Sequence, residues 1–169
     1  YKVTFDHDYD WANMPGCFEG NVKPTEIEAK AIGTLLKDVG MAIKMSYSSY
    51  SSGAFNWDVL PALRDNLRYN KAVRLVSRSG YTAQDWANLI LDELKKECPV
   101  FYTGRGVDGS GHAFVCDGYN GEGFFHFNWG WDGLANGFYR LEALNPTATG
   151  TGAGLGSYNM TQEILVGLS

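Results

Sequence analysis

The chain has 169 residues, of which 44% are hydrophobic and 14% aromatic, and its formal net charge is -5 at pH 7. This composition is sufficient for a packed core and excludes a disordered chain. No run of Lys or Arg favours nucleic acid, and no apolar stretch approaches the roughly 18 residues of a membrane span.

The amino-terminal part predicts a short strand and a long helix. Residues 1–5 alternate like a strand. Thr25 and Glu28 form a capping-box pattern, which predicts a helix over about 25–39. Gly40 stands where the end of that helix would use left-handed geometry. Apolar residues follow the cap at helical spacing: Ile27, Ala31, Ile32, Leu35, Leu36 and Val39.

Two further helices are expected before the character of the chain changes. The first covers about 58–69, with Asp58 as its N-cap and Pro61 in its first turn, where no hydrogen bond is lost. The second covers Thr82 to about Glu97, and Pro99 stops it.

Short segments with strand-like composition alternate with glycine-rich turns, mainly after residue 99. The candidate strands cover 73–76, 100–102, 112–116, 123–128, 137–141 and 164–168. Short strands separated by turns indicate an antiparallel sheet or half-barrel. We therefore predict an α+β fold, in which 1–98 form a helical part and 99–169 a β part of a single domain.

The three cysteines, Cys17, Cys98 and Cys116, form no C-x-x-C pair. A zinc site is therefore disfavoured, and the odd count does not suggest a disulfide framework. We predict no metal site and no cofactor.

The chemistry candidate is a histidine at the start of a strand. His112 follows Gly111, and 16 residues separate it from Asn128, enough for two antiparallel strands to bring them together. An isolated strand histidine is more often structural than catalytic, but an amide next to it would fix the ring and its tautomer. Because an amide is uncharged, this pairing favours a cysteine over a serine nucleophile.

Three motifs carry a family resemblance: Gly111–Tyr119, His126–Gly133 and Gly137–Leu141. They resemble papain-like cysteine peptidases, and most of all the streptopain branch of secreted bacterial enzymes. The resemblance extends to Gln84-Asp85-Trp86 and to the glycine-rich stretch after Pro146, and so covers nearly the whole chain. It implies a papain-like two-lobed fold, with part of a helical lobe and an antiparallel sheet or half-barrel lobe.

The resemblance also implies roles for single residues. His112 matches the catalytic base of the family. The residues that hold and cover its ring would be Asn128 and Trp129. Contacts to the substrate would come from four positions: Gly53, Gly111, Trp131 and Thr103, the last standing where the streptopain branch has a glutamine.

None of the cysteines fits the nucleophile of the family, which begins a long helix and follows a glutamine. Cys17 has no glutamine upstream and a glycine three residues on, Cys98 ends a helix, and Cys116 lies on an apolar strand. We therefore expect the nucleophile in a segment upstream of this chain. That segment, an inhibitory pro-segment and protein or peptide substrates are the expected partners, without nucleic acid or a membrane span.

The resemblance implies a bacterial enzyme that is secreted or resides in the cell envelope. Two alternatives stay open. One is a catalytically inactive papain-like binding or adhesion module, for which the Ser/Tyr-rich loop 46–53 would supply a recognition surface. The other is an amide hydrolase or transferase that acts on cell-wall peptides.

Overall fold

The structure, a computed structural model, describes residues 4–18, 20, 22–150 and 153–168. The chain divides into two compact units. The helical unit comprises Tyr1–Tyr47 and Gly53–Arg68, and the sheet unit comprises Ser48–Ser52 and Tyr69–Ser169. These units differ in extent from the predicted parts 1–98 and 99–169, and the division of one catalytic domain into those two parts stays a prediction. Within the described part of the chain, no helix combines the length and the apolar character needed to cross a bilayer.

The long helix α1 of the helical unit covers Glu26–Ala42. Its capping box forms as predicted: the Glu28 amide donates to Thr25 Oγ1 at 3.3 Å, and the Thr25 amide donates to Glu28 Oε2 at 2.8 Å. These bonds satisfy amides that a helix start leaves without partners. The strand predicted over residues 1–5 lies partly outside the described residues, and Thr4 and Phe5 are not in a strand.

The prediction that Gly40 ends α1 was wrong. The helix continues to Ala42, and Gly40 lies buried inside its last turn. Glycine serves a steric purpose at this position instead, because a Cβ on Gly40 would collide with the Tyr47 hydroxyl. The left-handed residue after the helix is Lys44, with φ of 54°.

The second helix is shorter than predicted and begins earlier. Helix α2 covers Asn56–Pro61, and a π-helical turn over Ala62–Asn66 follows it. Asp58 does not cap the helix, because its carboxylate pairs with the Lys44 ammonium group instead. Pro61 therefore occupies the last position of α2 and not the first turn.

The sheet unit contains a six-stranded antiparallel sheet in the order β1-β6-β2-β3-β4-β5. The strands cover Arg74–Ser77, Val100–Arg105, Gly111–Tyr119, Phe125–Asn128, Gly137–Tyr139 and Met160–Val166. All six fall at or beside predicted positions. The last strand, β6, pairs with both β1 and β2 and thus lies one strand in from the edge of the sheet. The predicted α+β class is confirmed.

Helix α3, Ala83–Leu94, contacts β2, β3 and β6. Thr82 caps it as predicted, by accepting from the Asp85 amide at 3.1 Å. Trp86 is fully buried, and its indole N–H donates to the Tyr102 hydroxyl at 2.9 Å, which in turn donates to Gln162 Oε1 at 2.8 Å. These bonds satisfy the indole N–H of Trp86 and the hydroxyl of Tyr102 inside a core that is rich in aromatic rings.

Candidate functional site

His112 is the second residue of β3, and its ring lies on the core side of the sheet. It stands opposite Gly104 in the β2–β3 ladder, and its ring centroid is 5.8 Å from that of Phe114 on the same face. Since Gly104 has no side chain, the Tyr158 backbone can pack directly against β2 at this end of the strand. The strand thus holds a half-buried histidine at the edge of the aromatic core.

A backbone carbonyl holds the imidazole. His112 Nε2 lies 2.7 Å from the carbonyl oxygen of Trp129, in the connection between β4 and β5. A carbonyl oxygen can only accept, so Nε2 carries the proton in the neutral ring. The other nitrogen, Nδ1, therefore keeps the lone pair and is the basic atom of this site.

Aromatic rings enclose the imidazole on several sides. Trp131 stacks on it with ring centroids 4.6 Å apart and planes 18° apart, and Tyr158 approaches to 5.3 Å. The Tyr158 hydroxyl donates to the Ala153 carbonyl at 2.6 Å, which ties the glycine-rich segment to this cluster. A Cβ on Gly150 would lie 2.5 Å from the Trp131 ring, so only glycine allows this approach.

Burial among these rings lowers the pKa of His112 from its ordinary value of 6.5, and the Trp129 carbonyl opposes part of that effect. The cause is desolvation, which disfavours the charged imidazolium. The sheet unit alone therefore presents a neutral base. A negative charge beside Nδ1 would act in the opposite direction and favour the imidazolium.

The predicted contact between the Asn128 side chain and the imidazole does not form. Asn128 pairs with Val115 in the β3–β4 ladder, on the face of the sheet opposite to His112. Its Oδ1 accepts from the Gly130 amide at 2.9 Å instead. The pleat of a strand explains this outcome. Successive side chains point to opposite faces of the sheet, and it is the backbone carbonyl of the next residue, Trp129, that reaches the ring.

Two residues of the site, Tyr158 and Asn136, were not predicted from the sequence. Tyr158 packs against the ring, and Asn136 Oδ1 accepts from the Trp129 amide at 3.0 Å. Both lie outside regular strands, so no periodic pattern marks them. Only the folding of the β4–β5 connection and of the glycine-rich segment brings them to the site.

The four predicted substrate contacts are distributed unevenly. Trp131 lies on His112, and Gly111 begins β3 opposite Arg105. Thr103 is buried and pairs with Ala113, so its side chain lies on the face of the sheet opposite to the imidazole. Gly53 belongs to the helical unit, where its backbone forms both hydrogen bonds of an isolated bridge with Ser46. Their roles towards a substrate stay predictions.

The cysteines have different environments. Cys17 is exposed, outside any helix, and Cys98 is half-buried after α3. Cys116 is fully buried on β3, and burial raises the pKa of its thiol to about 12. A thiol with that pKa is not a nucleophile at neutral pH.

Comparison with known proteins places this geometry in a family. The sequence matches the peptidase C10 family over residues 2–139. It is 43% identical over 169 residues to the thiol protease/hemagglutinin PrtT of Porphyromonas gingivalis, covering 99% of this chain and 19% of that protein. It is 42% identical over 168 residues to streptopain of Streptococcus pyogenes, covering 99% of this chain and 42% of streptopain. The chain thus spans less than half the length of these relatives.

Solved structures agree with the sequence comparison. The active wild-type interpain A cysteine protease of Prevotella intermedia superposes with a TM-score of 0.82 at 36% identity, covering 96% of this chain and 65% of that chain. A fragment of prointerpain A from the same organism superposes with a TM-score of 0.77, covering 48% of that chain. The papain-like fold predicted from the sequence motifs is therefore confirmed.

Proposed function

The chain belongs to the peptidase C10 family, and from this membership we propose that it is part of a cysteine endopeptidase that hydrolyses peptide bonds of proteins. One observation carries the proposal: the bond from His112 Nε2 to the Trp129 carbonyl leaves Nδ1 with a free lone pair. That is the arrangement a base needs in order to activate a nucleophile and later return its proton.

The nucleophile of this proposal is a cysteine in a segment upstream of the chain. Cys116 is excluded by its burial and raised pKa, and Cys17 is not at the start of a helix that would lower its pKa. Four large apolar side chains of the helical unit, Trp11, Ile27, Leu36 and Trp57, are each more than 60% exposed, and a covering segment would bury apolar surface of this kind.

In the proposed reaction, the cysteine transfers its proton to His112 Nδ1 and its sulfur attacks the peptide carbonyl. The C–N bond then breaks as His112 gives the proton to the leaving amine. Water, deprotonated by His112, attacks the acyl group and releases the cysteine sulfur, which regains its proton. The Trp129 carbonyl would hold the ring in one tautomer throughout, and the stacked Trp131 would keep water from that bond.

Two further properties belong to this proposal. An inhibitory pro-segment is supported by the likeness to a fragment of prointerpain A, the pro-form of interpain A. Secretion or location in the cell envelope follows from the resemblance to the streptopain branch. Mass analysis of the mature enzyme in culture medium would test both, because it reports the amino terminus and the compartment together.

The central test replaces His112 by alanine in the complete protein and measures casein cleavage. We expect cleavage to be lost. His126→Ala is the matched control, since His126 is on the neighbouring strand, on the opposite face, and pairs with Asp117. Cleavage by the His112→Ala protein would overturn the proposal. If the unaltered complete protein does not cleave casein or other proteins, the binding-module alternative is favoured.

A second experiment locates the nucleophile. A thiol-directed epoxide applied to the complete protein, followed by peptide mapping, should label a cysteine upstream of this chain. A label on Cys17 would show that the nucleophile lies within the 169 residues and would contradict the upstream assignment. Cys116 should stay unlabelled in the folded protein.

A further inference from the structure

The carbonyl that holds His112 belongs to a peptide group fixed from both directions. The peptide between Trp129 and Gly130 offers its carbonyl to His112 Nε2 at 2.7 Å, and its N–H to Asn128 Oδ1 at 2.9 Å. Asn128 therefore acts on the same peptide plane as the imidazole, although its side chain lies on the other face of the sheet.

The preceding peptide is held by a second asparagine. The Trp129 N–H donates to Asn136 Oδ1 at 3.0 Å, across the connection between β4 and β5. Trp129 is fully buried, so loss of the Asn136 side chain would leave its backbone amide without a hydrogen-bond acceptor and out of contact with solvent. Two consecutive peptide groups are thus each anchored by the side-chain carbonyl of an asparagine.

The connection itself has little regular structure to fix the carbonyl. Between Gly130 and Asn136, four residues have positive φ: Gly130, Asp132, Gly133 and Ala135. Two backbone hydrogen bonds lie within it: the Leu134 amide donates to the Trp131 carbonyl, and the Asn136 amide donates to the Gly133 carbonyl. Neither bond involves the peptide group between Trp129 and Gly130. Besides the packing of the buried Trp129 ring, the side-chain anchors are therefore what orients the carbonyl.

We propose that Asn136 is a positioning residue for His112, which acts together with Asn128 by fixing the Trp129 backbone whose carbonyl accepts the His112 Nε2 proton. Asn136 does not touch the substrate. It keeps the imidazole in the Nε2–H tautomer, with Nδ1 free to act as the base. The catalytic consequence rests on the proposed peptidase function, whereas the effect on the tautomer does not.

The test compares three substitutions in the complete enzyme. Asn136→Leu removes the acceptor at similar size, and Asn136→Asp keeps an acceptor oxygen at the same place. Asn120→Leu is the matched control: Asn120 Oδ1 accepts from the Glu122 and Phe124 amides in the β3–β4 turn, at the far end of β4 from Trp129. A merely structural effect of losing a turn asparagine would appear in both leucine variants.

The readout is the tautomer of the neutral His112 ring, measured by nitrogen-15 NMR of the imidazole at a pH high enough to remove the imidazolium proton, with kcat and KM beside it. We expect the Nε2–H form alone in the unaltered protein, in Asn136→Asp and in Asn120→Leu, and a mixture of tautomers in Asn136→Leu. The kcat of Asn136→Leu should fall by about 10- to 100-fold with little change in KM, because a small displacement of a catalytic group costs rate and not binding.

Several results would overturn the inference. An unchanged tautomer in Asn136→Leu, or a mixture in Asn136→Asp or in Asn120→Leu, would show that the Asn136 acceptor does not position the ring. If Asn136→Leu does not fold, Asn136→Ala removes the acceptor without adding a branched side chain and is judged by the same criteria. An inactive unaltered enzyme would refute the proposed function and leave the NMR comparison intact.

Discussion

The Trp131 indole stacks on the His112 imidazole, with ring centroids 4.6 Å apart and planes 18° apart. Gly150 packs on the same indole so closely that a Cβ would lie 2.5 Å from it. Three parts of the sheet unit, β3, the β4–β5 connection and the glycine-rich segment, thus meet at one ring. The stacking of Trp131 on His112 therefore depends on position 150, where there is no space for a Cβ atom.

Gly150→Ala should therefore move Trp131 away from His112. We expect the ring-current shifts of the His112 imidazole protons to shrink, and stability to fall by about 1–3 kcal/mol, as for overpacked sites. Proton NMR and urea unfolding measure the two effects. Gly16→Ala is the control, because a Cβ there meets no atom within 4 Å. Unchanged imidazole shifts in Gly150→Ala would contradict the expectation.

The lowered pKa of His112 predicts a pH dependence of stability in the 169-residue chain. The unfolded imidazole takes up a proton near 6.5, and the folded one only at lower pH, since burial opposes the charge. Between these two pKa values the unfolded state binds more protons. The free energy of unfolding should therefore be unaffected by this group above 6.5 and decrease as pH falls through the folded pKa.

Urea unfolding on either side of pH 6.5 measures this dependence. His112→Phe and His112→Gln both remove the titrating group, and each should flatten the decrease on the acid side. The two replacements differ in polarity, so a common effect reports titration and not packing. The same slope in all three proteins would show that other groups cause the acid sensitivity.

Asp108 should hold the glycine-rich segment to the β2–β3 turn. Its Oδ2 accepts from the Leu155 amide at 3.1 Å, while its Oδ1 accepts from the Ser110 hydroxyl at 2.6 Å. Asp108→Ala should therefore speed hydrogen exchange of the Leu155 amide. Glu142→Gln, which removes an exposed carboxylate elsewhere in the sheet unit, should leave that exchange unchanged.

The same contact has a predicted pH response. The bonds from Ser110 lower the pKa of Asp108 below its ordinary value of 3.8. The folded state is therefore favoured by this group above 3.8, and the contribution is lost as pH falls through the lower folded pKa. If the Leu155 amide already exchanges its hydrogen rapidly at neutral pH in the unaltered protein, Asp108 does not hold the glycine-rich segment stably to the β2–β3 turn.

Replacement of two glycines of α1 by alanine should change the stability of the protein by different amounts. Gly33 is exposed, with no atom within 4 Å of an added Cβ, so Gly33→Ala should stabilise by about 0.5–1 kcal/mol through helix propensity. Gly40→Ala meets the Tyr47 hydroxyl and should lose that gain. Thermal unfolding measures both, and adding Tyr47→Ala should recover the benefit at Gly40. An equal gain from both single variants would mean that Tyr47 moves aside without cost.

Local patterns in the sequence were sufficient for much of the fold. The Thr25–Glu28 capping box and the Thr82 cap lie within one turn of the helices that they start, so neighbours in sequence determine them. The same holds for the short strands between turns, where alternation and glycine are read within a few residues. His112 stood out because it combines a glycine, a strand and a specific motif.

Errors occurred where distant residues decide. Gly40 looks like a helix end until the Tyr47 ring is placed against it. Asp58 looks like a cap until Lys44 lies beside it. In both cases a contact with a residue beyond the next helical turn outweighs a local preference of about 1 kcal/mol, which is the size of a cap or a glycine effect.

The sequence by itself determined the family, the antiparallel sheet and the histidine of the site, because each is encoded in adjacent residues or regular spacing. Only the tertiary structure decided what holds that histidine. Strand register places Asn128 on the opposite face and leaves the Trp129 carbonyl to accept the Nε2 proton. The reason is that hydrogen-bond geometry depends on register and loop shape, and these are set by the packing of the whole unit.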